Sequence, residues 1–190
     1  MKKLYGILIA ILLPVLGWTQ WLPVETPRTN FFVAPAIEIG EVAGENSLSM
    51  IMQGGIRFEN VWFGVYDARQ YRFCYENALD ESCAGTTHYV GVWTGWERPV
   101  DETIAVYGGL RAARGLIELE KPNSRFIDAD YYEHVLVLTP EVGMTWQFAT
   151  HVQFAWMVGY RWIDGIEQLP GLEDKDFSSL VSTLSLRFGM

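Results

Sequence analysis

Apolar and polar residues alternate with a period of two along most of this chain. Successive side chains of a β-strand point to opposite faces, so this period predicts strands rather than helices. No segment after residue 20 keeps the i, i+3, i+4, i+7 spacing of an amphipathic helix over three turns. The alternation predicts eight strands, over residues 30–42, 47–58, 61–71, 86–96, 103–114, 131–146, 150–162 and 178–190.

The two faces of the predicted strands differ in size as well as polarity. In the seventh strand, Phe154, Trp156 and Trp162 share one face, whereas Ala155 and Gly159 lie on the other. The interior of an eight-stranded barrel is narrow and is filled by side chains. We therefore expect small residues and a few paired charges inside, with the bulky apolar face pointing into lipid, as in a membrane barrel. A β-sandwich with these rings in its core is the alternative.

The connections between the predicted strands alternate between short and long. The turns at 59–60, 97–102 and 147–149 are short, whereas the segments 68–85, 115–130 and 163–177 are long and polar. The first connection, 43–46, is short although it falls on the side of the long loops. A barrel with both chain ends in the periplasm has its short turns there and its longer loops outside. The sequence therefore predicts an all-β fold, namely an eight-stranded antiparallel up-and-down transmembrane β-barrel.

The first nineteen residues have the character of a cleavable secretory signal peptide. Lys2 and Lys3 precede an apolar run over residues 4–16, and Gly17 follows. The run is shorter than the roughly 20 residues of a membrane-spanning helix. We expect cleavage near residues 19–20, which leaves residues 20–190 as the barrel domain. A retained N-terminal anchor is the alternative.

The net charge of the chain limits the partners that it can bind. The formal net charge is −9, and it becomes −11 once Lys2 and Lys3 are removed with the signal. This acidity argues against nucleic acid as a partner.

Cys74 and Cys83 both fall in the second predicted outer loop, where export allows a disulfide. We predict that they are joined, and two free thiols in non-reducing mass spectrometry would refute the bond.

Both acids and bases occur on the faces that are predicted to point inward. An uncompensated buried charge is costly, so these residues must meet partners of opposite sign. Because the sixth and seventh strands form a hairpin, we expect Glu133 to pair with Arg161 at its outer end. The full set of predicted interior charges is Glu38, Arg57, Arg111, Glu133, Glu141, Arg161 and Arg187.

Aromatic residues cluster near the predicted strand ends. Tryptophan and tyrosine favour the membrane interface, where the ring contacts lipid and the polar atom contacts water. We expect an inner girdle beside the periplasmic turns and an outer girdle beside the loops. The inner girdle would include Trp62, Trp96, Trp146 and Phe148, and the outer girdle Tyr71, Tyr131, Tyr132, Tyr160 and Trp162.

The C-terminal strand carries a family resemblance. Leu184, Leu186 and Phe188 alternate up to two residues before the end, which resembles the β-signal that the barrel-assembly machinery reads. The chain as a whole resembles the small outer-membrane barrel proteins, including the OmpA-barrel, OmpX-like and porin-superfamily groups. This resemblance implies the fold, location in the outer membrane of a Gram-negative cell envelope, and outer-membrane lipid and the assembly machinery as partners. It implies no particular activity.

We find no catalytic motif, cofactor site or metal site in the sequence. His88, His134 and His151 lack the His-x-Ser pattern of PagL-like lipid A deacylases, and we expect His88 and His134 at the interface and His151 inside. We therefore expect a non-enzymatic protein that acts as a structural or surface-interaction module through loops 68–85, 115–130 and 163–177. The alternatives are a narrow passive channel, a lipid A-modifying enzyme and a soluble ligand-binding barrel.

Overall fold

Eight antiparallel strands close into a barrel, in which each strand pairs with the next and the last pairs with the first. The computed structural model describes residues 29–76, 82–120, 131–167, 169 and 171–189. All eight predicted strands and their up-and-down order are confirmed. The strands are β1 (Thr29–Val42), β2 (Glu45–Phe58), β3 (Val61–Glu76), β4 (Ser82–Pro99), β5 (Ile104–Glu120), β6 (Tyr131–Ala149), β7 (Val152–Asp164) and β8 (Ser179–Phe188).

The pairing register fixes the stagger of the barrel. Following paired residues once around the wall from Val106 of β5 returns to the same strand at Leu116, ten residues further along. A closed barrel needs such a stagger, with strands tilted by about 35–45° from its axis. The path runs through Met144, Trp156, Leu184, Ile37, Met50, Arg69 and His88.

The exterior of the barrel is an apolar belt. Valines on neighbouring strands point outward, and Val65 of β3 and Val92 of β4 keep 65% and 62% of their surface exposed. Soluble monomers rarely expose a contiguous apolar surface of this extent, whereas a membrane barrel requires one. Rings border the belt near the periplasmic turns and chain ends, namely those of Phe31, Phe58, Trp96, Phe148 and Phe188.

The interior is more aromatic than the sequence analysis expected. Trp62, which we assigned to the inner girdle, is fully buried and stacks on Tyr107 with ring centroids 5.1 Å apart. Trp93 meets Trp62 edge to face at 5.8 Å. The rings fit because an inward-facing glycine, Gly95, lies directly beneath Trp62. Small residues are thus present inside, as expected. They provide space for aromatic rings, which fill the lumen together with the charged side chains.

This arrangement predicts that alanine destabilises the barrel at one glycine position and is tolerated at another. A Cβ at Gly95 would lie 2.4 Å from the Trp62 ring, so Gly95→Ala should destabilise the barrel by about 1–3 kcal/mol through overpacking. Gly108→Ala is the matched control, because its Cβ would point outward and meet only the Trp96 ring at 3.5 Å. Urea unfolding in liposomes would compare the two variants. Equal costs would show that Trp62 does not occupy this position.

The outer ends of β3, β4 and β5 extend further than the sequence predicted. Residues 72–76 and 82–85 belong to β3 and β4, and 115–120 belong to β5, so assigning them to loops was wrong. β3 pairs with β2 only as far as Gln70, and β6 pairs with β7 only from Leu136. Beyond these points the two hairpins form a four-stranded outer wall of residues 71–76, 82–86, 115–120 and 131–135.

Three predictions fall wholly or partly outside the described residues. The signal peptide over 1–19 is one, and the loop tips at 77–81 and 121–130 are the second. The third is the disulfide, because nothing is described of the Cys74 and Cys83 side chains. Their backbones lie on adjacent strands, where Cys74 pairs with Ala84 and Cys83 with Tyr75. All three remain predictions.

The turn between β4 and β5 is held by one carboxylate. Asp101 accepts hydrogen bonds from the backbone N–H groups of Thr103 and Ile104, both at 2.7 Å. These donors stabilise the charged form and hold the pKa of Asp101 below its usual value. The turn therefore has a defined shape at the periplasmic end.

In the described part of the chain, no helix has the length and apolar character needed to cross a membrane.

Candidate functional site: the lumen and its outer mouth

A charge cluster lies in the outer half of the lumen, centred on Glu38 of β1. The Glu38 carboxylate accepts a hydrogen bond from Arg111 of β5, across the lumen, and lies 3.3 Å from the guanidinium of Arg161 of β7. The hydroxyl of Thr183 donates a third bond at 3.2 Å. All four side chains are buried. One acid thus connects three other strands through the interior.

Arg111 extends this cluster to a second acid. Its guanidinium lies 3.1 Å from the carboxylate of Glu141 on β6. Glu141 also accepts hydrogen bonds from Tyr107 and from the indole N–H of Trp93, the latter at 3.2 Å. Two guanidiniums therefore face two carboxylates, which satisfies the requirement that buried charges be paired.

A second cluster lies nearer the periplasmic end, around Glu97 of β4. Its carboxylate lies 3.2 Å from Arg57 and 3.8 Å from Arg187, and it accepts a 3.0 Å bond from Gln153. The Arg187 guanidinium also lies over three aromatic rings, 4.9 Å from the centroids of Trp62 and Tyr107 and 5.3 Å from that of Trp93. Cation–π contacts of this kind compensate a desolvated arginine.

The last outer loop folds back into the mouth of the barrel. The short helix α1 (Asp174–Phe177) follows β7, and Leu169, Leu172 and Phe177 are buried against the lumen. Arg161 anchors the loop by donating from Nε to the carbonyl of Phe177 at 3.2 Å. The backbone N–H of Ala43 donates to the carbonyl of Asp176 at 2.6 Å. The described part of segment 165–177, which we predicted as a long polar loop, therefore packs into the outer mouth.

The predicted pairing of Glu133 with Arg161 is wrong. In the register of β6 and β7, Gly159 pairs with Glu141 and Trp162 pairs with Leu138. Arg161 therefore lies beside residues 138–141 of β6. Glu133 lies further out, where its carboxylate accepts a 3.2 Å bond from the backbone N–H of Glu167. Arg161 instead meets Glu38 of β1. The error arose because interior side chains of a narrow barrel meet across the lumen, so hairpin neighbours are not the only partners.

The other predicted interior charges all point into the lumen. Arg57 is partly exposed at the periplasmic end, and the rest are buried. Sequence reasoning missed Glu97, because we ended the fourth strand at residue 96 and assigned Glu97 to a turn. The alternation of Trp93, Gly95 and Glu97 on one face already indicated that the strand continues. Leu184, Leu186 and Phe188 of the proposed C-terminal signal point outward.

The lumen that the structure describes contains no histidine. His88 points outward from β4, and His134 points outward from β6. His151, which we expected inside, lies exposed in the turn between β6 and β7, because β7 begins only at Val152. Within the described residues, no group of three or more His, Cys, Asp or Glu side chains has an arrangement that could hold a metal ion. The paired charges and rings have the geometry of a packed core.

Comparison with known proteins shows the fold. The crystal structure of Neisserial surface protein A superposes with a TM-score of 0.64 at 13% identity, covering 87% of this chain and 100% of that one. Ail, the attachment invasion locus protein of Yersinia pestis, in complex with the heparin analogue sucrose octasulfate, gives 0.47 at 15% identity over 87% and 98%. No protein-family model and no curated protein matches the sequence.

The chain has the fold of the small outer-membrane barrels that its sequence resembles. An apolar exterior around a filled, charge-containing lumen is the arrangement that lipid requires of such a barrel. It is the inverse of a soluble barrel, in which the apolar side chains lie inside.

Proposed function

We propose that this protein is an integral outer-membrane barrel that acts as a non-enzymatic surface-interaction module. The outer wall is the feature that supports this role. Beyond Gln70, β3 continues for six more residues, which corresponds to about 20 Å along the strand. An anchor alone does not need a structured four-stranded extension, whereas a binding surface for partners outside the cell does.

A passive channel is disfavoured by the packing of the lumen. Arg111, Arg161 and Arg187 are almost fully buried, together with the rings of Trp62 and Trp93. The folded loop also packs the buried Phe177 against Arg161 at the outer mouth. We expect no stepwise conductance above background from the purified protein in planar bilayers. Regular conductance steps would replace the proposed function by that of a channel.

Labelling of intact cells tests whether the outer wall is presented to the outside. An epitope inserted in 121–130 should bind antibody on intact cells, because this segment connects β5 and β6 of the wall. The same epitope between Asp101 and Glu102 is the matched control, since it lies in the opposite turn and should bind only after the outer membrane is permeabilised. The reverse pattern would contradict the proposed orientation.

The non-enzymatic part of the proposal has its own test. We expect the lipid A mass spectrum of cells that express the protein to match that of cells without it. Loss or gain of an acyl chain would make the protein a lipid A-modifying enzyme.

A further inference from the structure

Four polar residues interrupt the lipid-facing belt on one flank of the barrel. Asp67 and Arg69 of β3, His88 of β4 and Arg114 of β5 all point outward. Arg69 pairs in register with His88, and Arg114 pairs with Val90, two residues from His88. These four residues, the flank cluster, therefore occupy one patch across three adjacent strands.

The flank cluster carries more positive than negative charge. The Asp67 carboxylate lies 3.1 Å from Nε of Arg69 and 2.5 Å from Nε2 of His88. Arg114 makes no ion pair with any residue within the described ranges. The flank cluster thus contains one carboxylate and two guanidiniums, which gives it a net charge of +1 with His88 counted as neutral. The Arg69 side chain remains 59% exposed, with its terminal N–H donors available to a further acceptor.

An apolar groove begins beside this cluster and runs down the exterior. Asp67 and Arg69 lie at its upper end, and Arg69 is eight residues from the start of β3. Phe154, two residues from the start of β7, lies at the lower end, near the periplasmic turns. Between them the groove is lined by Pro35, Ile37, Met50, Met52, Leu184 and Leu186.

We propose that this flank binds a phosphate-bearing lipid of the outer leaflet, with its phosphate on Arg69, His88 and Arg114 and an acyl chain along the groove. The proposal rests on the outer-membrane location given above. Arginine fits phosphate well, because its planar fork donates two parallel hydrogen bonds. Cationic side chains at membrane depth need a counter-charge, and a headgroup phosphate supplies one.

Charge elsewhere on the molecule favours a lipid over a soluble anion. The outer segments 41–46, 71–85, 115–130 and 164–178 contain fourteen acidic and four basic residues, a net charge of −10. An anionic polymer approaching from outside would be repelled there. A lipid reaches the flank cluster laterally through the membrane, and its acyl chain matches the apolar groove.

Native mass spectrometry of the full barrel in detergent micelles tests this site with diphosphoryl lipid A as the probe. Wild type should bind one lipid A, and the Arg69→Gln/Arg114→Gln double variant should bind at least about tenfold more weakly, since charge-assisted hydrogen bonds are lost. Arg98→Gln is the matched control, because Arg98 also points outward from β4 but lies near the periplasmic turn. It should bind as wild type does. Arg114→Gln alone removes no ion pair within the described residues, and it should also bind lipid A more weakly than wild type.

Three outcomes would overturn the proposal. Equal affinity for lipid A and its dephosphorylated form would show that the phosphate is not recognised. Equal loss in Arg98→Gln would show that the position of the arginine is irrelevant. Inorganic phosphate binding as tightly as lipid A would make this a free-anion site.

A separate variant tests whether the groove holds an acyl chain. Met52 points outward into it, so Met52→Trp should fill the groove and weaken lipid A binding while leaving the belt apolar. Unchanged binding would contradict the acyl-chain assignment. Heat-modifiable migration on gels, measured on the same samples, reports folding independently. A folded, membrane-inserted barrel without lipid A preference would thus refute this inference and leave the proposed function standing.

Discussion

Replacing Glu38 with leucine is expected to lower the free energy of unfolding by about 3–5 kcal/mol. The Glu38 carboxylate bridges the guanidiniums of Arg111 and Arg161, and both are buried. Without it, two cations remain inside the barrel and Glu141 is the acid that still contacts Arg111. Removing one partner of a buried ionic network leaves an uncompensated charge, which costs more than the network itself contributes. Urea unfolding in liposomes measures the difference.

Glu41→Leu is the matched control for this variant. Glu41 lies three residues further along β1, but its side chain is exposed and points outward. Exposed substitutions away from special features usually change stability by about 0.5 kcal/mol or less. Similar losses in the two variants would mean that Glu38 does not hold the interior together.

Replacing Val142 with arginine is expected to cost about 2–4 kcal/mol in a lipid bilayer, because this is the range for arginine at the midplane on the outside of a membrane barrel. Val142 points outward from β6, where it pairs with Gly108 and Val158 in the apolar belt. The substitution neither creates a cavity nor removes a hydrogen bond. Its cost therefore reports the solvent that surrounds the belt.

Val100→Arg supplies the control. Val142 and Val100 are equally exposed, at 66% and 67%, but Val100 lies in the turn between β4 and β5. In water the two substitutions would both be nearly neutral. In lipid they should differ by at least about 2 kcal/mol. Equal values in liposomes would contradict the lipid-facing assignment of the belt.

The fold was predictable because the period-two pattern is a local property. Phe154, Trp156 and Trp162 share the outward face that the alternation gave them, and the strand number follows from counting such segments. Strand ends were harder to place. In β3 the alternation fades beyond residue 71, and the chain continues as a strand there because β4 pairs with it.

The contacts within the lumen were not predictable from the chain alone. Glu38 meets Arg111 and Arg161 because the stagger of the closed barrel brings β1, β5 and β7 to one depth. Nothing local to Arg161 distinguishes Glu38 from Glu133 as its partner. Trp62 was misplaced for a related reason: the space for its ring is provided by Gly95 on the neighbouring strand.

Separation of the cell envelope on a density gradient tests whether this barrel lies in the outer membrane with its apolar belt in lipid. The protein should be recovered in the outer-membrane fraction, should resist extraction with urea, and should migrate differently on gels before and after heating. Recovery of folded protein in the soluble periplasmic fraction would contradict the account.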